Sequence, residues 1–127
     1  MAMEDLIDAA KRENWKVVDR KLPEAAMKDA NVVWAYTRGL KDSDGNVRDL
    51  AASLLAKANL STREMQEAKP ILRSVMMSDS NPYARYRSAF ALAEHGDCSS
   101  SVVEVLREAA KDKDVSKIAK GYLKRIV

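Results

Sequence analysis

The sequence is poor in the residues that interrupt or cross-link a chain. Its 127 residues include 4 Gly, 3 Pro and a single cysteine, Cys98. An internal disulfide is thereby excluded, and a reducing, cytoplasmic setting is expected. The four glycines, Gly39, Gly45, Gly96 and Gly121, are scattered and build no phosphate-cradling loop. The one histidine, His95, lies near Cys98, and together they fall short of the three or four ligands of a zinc site. A Cys–His nucleophile pair would have to cross the Gly96 turn and lacks an orienting third group. No apolar run approaches the ~18 residues of a membrane span. The opening Met-Ala-Met-Glu-Asp has neither the basic flank nor the apolar stretch of a signal peptide. No membrane partner, cofactor or metal is therefore expected, and the residues offer no catalytic constellation, so the chain reads as a non-enzyme.

What is abundant is alanine, at 19 residues, with 46% apolar and 32% charged residues overall. Alanine is the best helix former, and Gly and Pro are the main breakers, so the composition points to an all-α chain with a real core. The length fits one domain over residues 1–127.

Helical periodicity runs wherever the punctuation allows it. Val47, Leu50, Ala51, Leu54, Leu55 and Ala58 fall at i, i+3, i+4, i+7, i+8 and i+11, one apolar stripe on a helix. Val115, Ile118, Ala119, Tyr122, Leu123 and Ile126 repeat that spacing, and Ala84, Ala89, Leu92 and Ala93 partly repeat it between them. Each of the three helices follows a polar turn suited to N-capping: Asp42–Asn46, Asp79–Pro82, and Asp112–Asp114. A partner helix precedes each turn. Val32, Val33, Tyr36 and Leu40 form the first, Met65, Ala68, Leu72, Val75 and Met76 the second, and Val102, Val105, Leu106 and Ala109 the third. Ser61 with Glu64, and Ser101 with Glu104, have capping-box spacing. Pro70 should kink its helix or move its start, and Pro23 should break or bend the one before it. Gly96 suits a left-handed helix C-cap. The expected architecture is a right-handed α-α superhelix of about four helical hairpins: a degenerate unit at 3–28, then 30–58, 62–95 and 101–127. Apolar surface at Trp15 and Leu22 of the first unit would favour dimerisation.

Lys41-Asp42-Ser43-Asp44 followed by Val47-Arg48-x-x-Ala51-Ala52-x-x-Leu55-Ala56 resembles the HEAT repeat, in particular the short HEAT-like type found in phycobilisome lyase proteins. Gln66-Glu67-Ala68-Lys69-Pro70-Ile71-Leu72 resembles the proline-containing first helix of that repeat, and Leu92-Ala93-Glu94-His95-Gly96-Asp97 its exit. The likeness covers residues 30–127. It implies an Asp–Arg ladder, with Arg48 bonded to Asp42 or Asp44 and Arg85 to Asp79. Ser116 replaces that Arg in the last unit. Tetratricopeptide repeats are the rival architecture, but their Trp, Leu-Gly and Tyr pattern is missing.

Such an array most readily serves as a scaffold or adaptor that binds a protein or peptide along its concave second helices. Ser53, Lys57, Tyr86, Arg87, Lys117 and Lys120 flank the apolar stripes there and are the expected contacts. Tyr86, between Arg85 and Arg87, would be an anchor if exposed, and Trp34 is a second aromatic of interest. The alternative is nucleic-acid binding. The net charge of +3 is concentrated at the end of the chain, since residues 111–127 carry 6 basic and 2 acidic side chains. Lys113, Lys117, Lys120 and Lys124, with Arg125, form a cationic stripe fit for phosphates, as in HEAT-like DNA-repair proteins, or simply a solvated helix face. A role in bilin attachment would rest on the family likeness alone.

Overall fold

Eight helices account for most of the computed structural model, which describes residues 2–126. They are α1 (Met3–Lys11), α2 (Trp15–Ala25), α3 (Asp29–Thr37), α4 (Gly45–Lys57), α5 (Thr62–Ser78), α6 (Pro82–Glu94), α7 (Ser100–Ala109) and α8 (Ser116–Ile126). A single 3-10 turn, Gly39–Lys41, joins α3 to α4, and no strand occurs among the described residues. Consecutive helices pack as hairpins, α1 on α2, α3 on α4, α5 on α6 and α7 on α8. The hairpins stack through their second helices, with α4 against both α2 and α6, and α6 against α8. This is a helical solenoid.

The punctuation acts largely as the residue types demand. Asp44 caps α4 by accepting from the Asn46 amide, and Asn81 caps α6 by accepting from the amides of Tyr83 and Ala84, with Pro82 at the first helical position. Ser61 and Glu64 form the reciprocal capping box of α5. Gly96 takes φ +95°, the left-handed cap that ends α6. Two expectations narrow and one is overturned. Helix α5 starts at its capping box and runs through Pro70, whose ring faces solvent, because Ala68, Leu72, Val75 and Met76 bury the opposite face. Helix α2 likewise continues past Pro23 to Ala25. Helix α7 begins at Ser100, so Ser101 is no cap; its hydroxyl instead accepts from Arg73.

One contiguous core runs from Leu6 in α1 to Ala119 in α8. Its centre is the α4–α6 contact, where Ala51, Ala52, Ala89 and Ala91 are fully buried between Leu50, Leu54, Leu55 and Leu92. Small side chains here let two helix backbones approach closely while the leucines fill the flanks. The approach extends to Gly39, where a Cβ would lie 2.7 Å from that of Ala51 and 2.9 Å from the Trp34 ring. Leu22 is 4% exposed, packed against this core, and offers no dimerising patch.

Candidate functional site

The second helices carry two kinds of polar residue: those that lock one hairpin onto the next, and those that face the open side of the stack. The first kind sits at the helix N-termini. Asp42, Asp79, Asp97 and Asp112 each accept the amide two residues on, forming the same turn at four places. Arg48 Nε and Nη2 donate to the two carboxylate oxygens of Asp79, at 2.6 and 3.0 Å, and Nη1 donates to the Asp42 carbonyl. Arg48 therefore meets Asp42 of its own unit through the backbone carbonyl only, and its carboxylate partner lies in the next unit. The carboxylates of Asp42 and Asp44 are engaged in capping their own turn, whereas Asp79 of the next hairpin presents both oxygens to the guanidinium. The same reasoning corrects the second pair. With Asp79 occupied, Arg85 donates to the Met76 carbonyl and, bidentately at 2.9 Å, to Glu108 of α7. Tyr83 continues the pattern, its hydroxyl lying 3.1 Å from both Asp112 and Asp114.

Burial pushes the Asp79 carboxyl up, but the bonds from Arg48 and the Asn81 amide outweigh it and hold it below the usual carboxylate range. Burial likewise raises Asp97, and it too is held low, by Ser99, Lys69 and Arg73. His95 Nε2 lies 2.8 Å from the Leu55 carbonyl and donates to it, which ties the end of α6 to α4 and leaves the ring engaged away from Cys98 chemistry. Among the described residues no group of three His, Cys, Asp or Glu is placed to hold a metal ion.

The second kind lines a groove whose floor is α4 and α6 and whose walls are α2 and α8. One half is a hollow of about 320 Å³ bounded by Leu22, Ser53, Ala56, Lys57, Phe90, Glu94, Ile118 and Tyr122. The other, about 270 Å³, is bounded by Glu13, Trp15, Asn46, Asp49, Tyr83, Asp114 and Val115. Asp19 and Arg87 border both, so the two halves are continuous. Periodicity explains the lining. Ser53, Ala56 and Lys57 are spaced i, i+3 and i+4 on α4, and Arg87, Phe90 and Glu94 are spaced i, i+3 and i+7 on α6. Phe90 stacks on Tyr122 with centroids 5.5 Å apart, and the Tyr122 hydroxyl meets Glu94. Burial, with help from the Glu94 carboxylate, pushes that phenol up to about 12.

In the second half of the groove, beside Arg87, Asp49 is 7% exposed. Its carboxylate accepts from Ser53 at 3.2 Å, while Arg87 Nε stays at 3.7 Å and has no hydrogen-bond partner although buried. Burial drives the Asp49 carboxyl up to about 6, with the neighbouring Asp19 charge adding to the effect and Arg87 and Ser53 only partly opposing it.

Of the six expected partner contacts, Ser53, Lys57 and Arg87 line this groove. Tyr86 does not. It is 7% exposed, packed edge-on against Tyr83 at 5.9 Å, and belongs to the core, so it is no anchor. Lys117 and Lys120 lie about 100° or more around α8 from Ile118 and Tyr122, and face solvent outside the groove, as does Lys124. Lys113, in the turn before α8, is also exposed. Arg125, also exposed, bends back to Glu94 at 3.5 Å and over the Tyr122 ring at 5.1 Å, away from the four lysines. Trp34 is half-buried against Gly39. The sequence reading missed Asp19, Asp49 and Glu94. Their signal was weak, because a lone carboxylate on a helix normally means a solvated face.

Stacked helical hairpins with a groove along their second helices define an α-solenoid, a fold whose curved surface is its characteristic feature. The model for HEAT repeats matches residues 33–121, and the chain belongs to that family. No curated protein and no solved structure matches the chain.

Proposed function

We propose that the protein is a non-catalytic scaffold or adaptor that binds a protein segment along the groove formed by α2, α4, α6 and α8. The observation that carries this reading is the groove itself. It crosses all four second helices, combines accessible apolar side chains with charged ones, and leaves Ile118 41% exposed on its wall. Exposed apolar residues rimmed by charge are the usual composition of a docking surface. The finer likeness, to the short HEAT-like repeats of phycobilisome lyase proteins, is one of repeat type and supports docking without assigning a bilin. A cytoplasmic setting goes with the single, exposed Cys98.

A photo-crosslinking side chain placed at Ala56 or Ile118, and for comparison at Met77 or Lys69 on the outer helix α5, tests the reading. Polypeptide adducts resistant to nuclease are expected at the groove positions. Excess unlabelled protein should compete for them, and the groove-filling variant Ser53→Trp should not. Adducts confined to α5 would refute it, and nuclease-sensitive adducts, read also from a crosslinker at Lys117 or Lys120, would refute it and favour the basic stripe instead.

A further inference from the structure

We infer that the segment taken by the groove is basic and amphipathic, with a Lys or Arg side chain entering the half bounded by Asp19, Asp49 and Asp114 and an apolar side chain lying on Ile118 and Tyr122. The inference rests on the docking reading above and specifies its partner. Its first support is charge. The groove is bordered by five carboxylates, from Glu13, Asp19, Asp49, Glu94 and Asp114, against the cations Lys57 and Arg87, with Arg125 reaching Glu94 at the edge, so carboxylates outnumber cations even with that pair counted. Yet the chain as a whole carries +3. The sign of the groove is thus opposite to that of the molecule, and it repels phosphate backbones while attracting cations.

The second support is independent of the charge count. Asp49 is more than nine-tenths buried, lines the hollow, and accepts one long bond from Ser53. Arg87, at 3.7 Å, supplies no hydrogen bond. A carboxylate in such surroundings normally collects two or three donors. An incoming ammonium or guanidinium would supply them at charge-assisted distance, between Asp49 on α4, Asp19 on α2 and Asp114 ahead of α8. The apolar half presents Ile118 and Tyr122 over the buried side chains of Phe90 and Leu22, a surface that takes an aliphatic or aromatic side chain.

A titration signature follows. The groups facing Asp49 are Asp19 from α2, Ser53 on its own helix, Arg87 and Tyr83 from α6, and Asp114 and Glu13 at the rim. With Asp49 ionising at about 6, a cation that requires the ionised form binds about tenfold more weakly at pH 5 than at pH 7.

The test presents the full chain, immobilised, to a library of 12-residue peptides varied in Lys and Arg, Asp and Glu, and Leu and Phe content. Basic apolar peptides should be enriched on the wild type and lost on Ala56→Trp, which fills the groove. Their affinity should fall at least tenfold in the double variant Asp19→Asn with Asp114→Asn, both exposed positions, where an amide oxygen still accepts from Tyr83 and an unchanged urea midpoint checks the fold. It should lose its pH dependence in Asp49→Asn. Acidic or neutral peptides that enrich and are lost on Ala56→Trp would overturn this inference while leaving the docking reading standing. No enrichment, or enrichment indifferent to Ala56→Trp, would sink both. A second copy is the remaining occupant. Sedimentation showing a dimer abolished by Asp19→Asn with Asp114→Asn, and equally by Lys117→Gln with Lys120→Gln, would place α8 of another molecule in the groove and overturn the inference.

Discussion

Asp49→Asn should make the protein more stable at neutral pH, although it removes a charged residue beside an arginine. The carboxyl ordinarily ionises at 3.8 and in the folded chain at about 6. An acid whose folded value is raised binds protons more readily in the folded than in the unfolded state, so stability falls as pH rises through the window from about 4 to about 6. Below that window both states are protonated and there is no penalty. Above it the penalty is complete. Each unit is worth 1.36 kcal/mol, so the ionised carboxylate costs the fold up to about 3 kcal/mol at pH 7. Asparagine reproduces the neutral shape without that cost. For a domain of this size, ~3 kcal/mol corresponds to a rise in Tm of roughly 10 °C. Urea unfolding of wild type and variant from pH 3.5 to pH 8 measures it, and other carboxylates cancel in the difference. The two curves should coincide near pH 3.5, diverge between pH 4 and 6, and run parallel above. A variant less stable than wild type at pH 7 would refute the reasoning, because it would mean that Arg87 at 3.7 Å compensates the buried charge in full. A stabilised variant that also loses peptide affinity would identify Asp49 as a residue kept for binding at the expense of stability.

Other substitutions probe the stack itself. Arg48→Met leaves Asp79, whose side chain is 5% exposed, without its bidentate donor and should cost about 3 kcal/mol by urea unfolding. Because Asp79 is held below 3.8 in the folded chain, that stabilisation is complete above pH 4 and fades as pH falls below it, so the deficit of the variant should shrink in acid. Gly39→Ala forces a methyl to within 2.7 Å of Ala51 and should lose 1–3 kcal/mol, on the order seen for overpacking. Gly121→Ala, within α8 and with open space around the new Cβ, should instead raise stability by about 1 kcal/mol. Ser61→Ala breaks the capping box and should cost about 1 kcal/mol, read as a lower Tm.

Much of the architecture was legible in the letters. The stripe from Val47 to Ala58 lies within one helix and its continuation, buried at Val47, Leu50, Ala51, Leu54 and Leu55. Asp44, Asn81, Ser61 and Gly96 end or begin helices because capping is a bond between a side chain and amides two or three residues away. Between the alternatives the two interior prolines offered, the letters could not choose: whether a helix continues past the loss of one backbone bond depends on the face it buries, which is settled by other helices.

The groove residues show the same division. Ser53, Lys57 and Arg87 line the groove because flanking a stripe is a local property; Asp49 was overlooked and Tyr86 wrongly expected to be exposed because burial is not local. On its own letters Tyr86 sits between two arginines, yet Tyr83 and the neighbouring helices enclose it. The partners of Arg48 and Arg85 lie 31 and 23 residues away, across the contact between hairpins. Helix, cap and turn are written in short-range hydrogen bonding, and one sequence suffices to read them. Which carboxylate an arginine meets, and which acid faces an open groove rather than water, depends on how hairpins stack, and only the tertiary structure decides it.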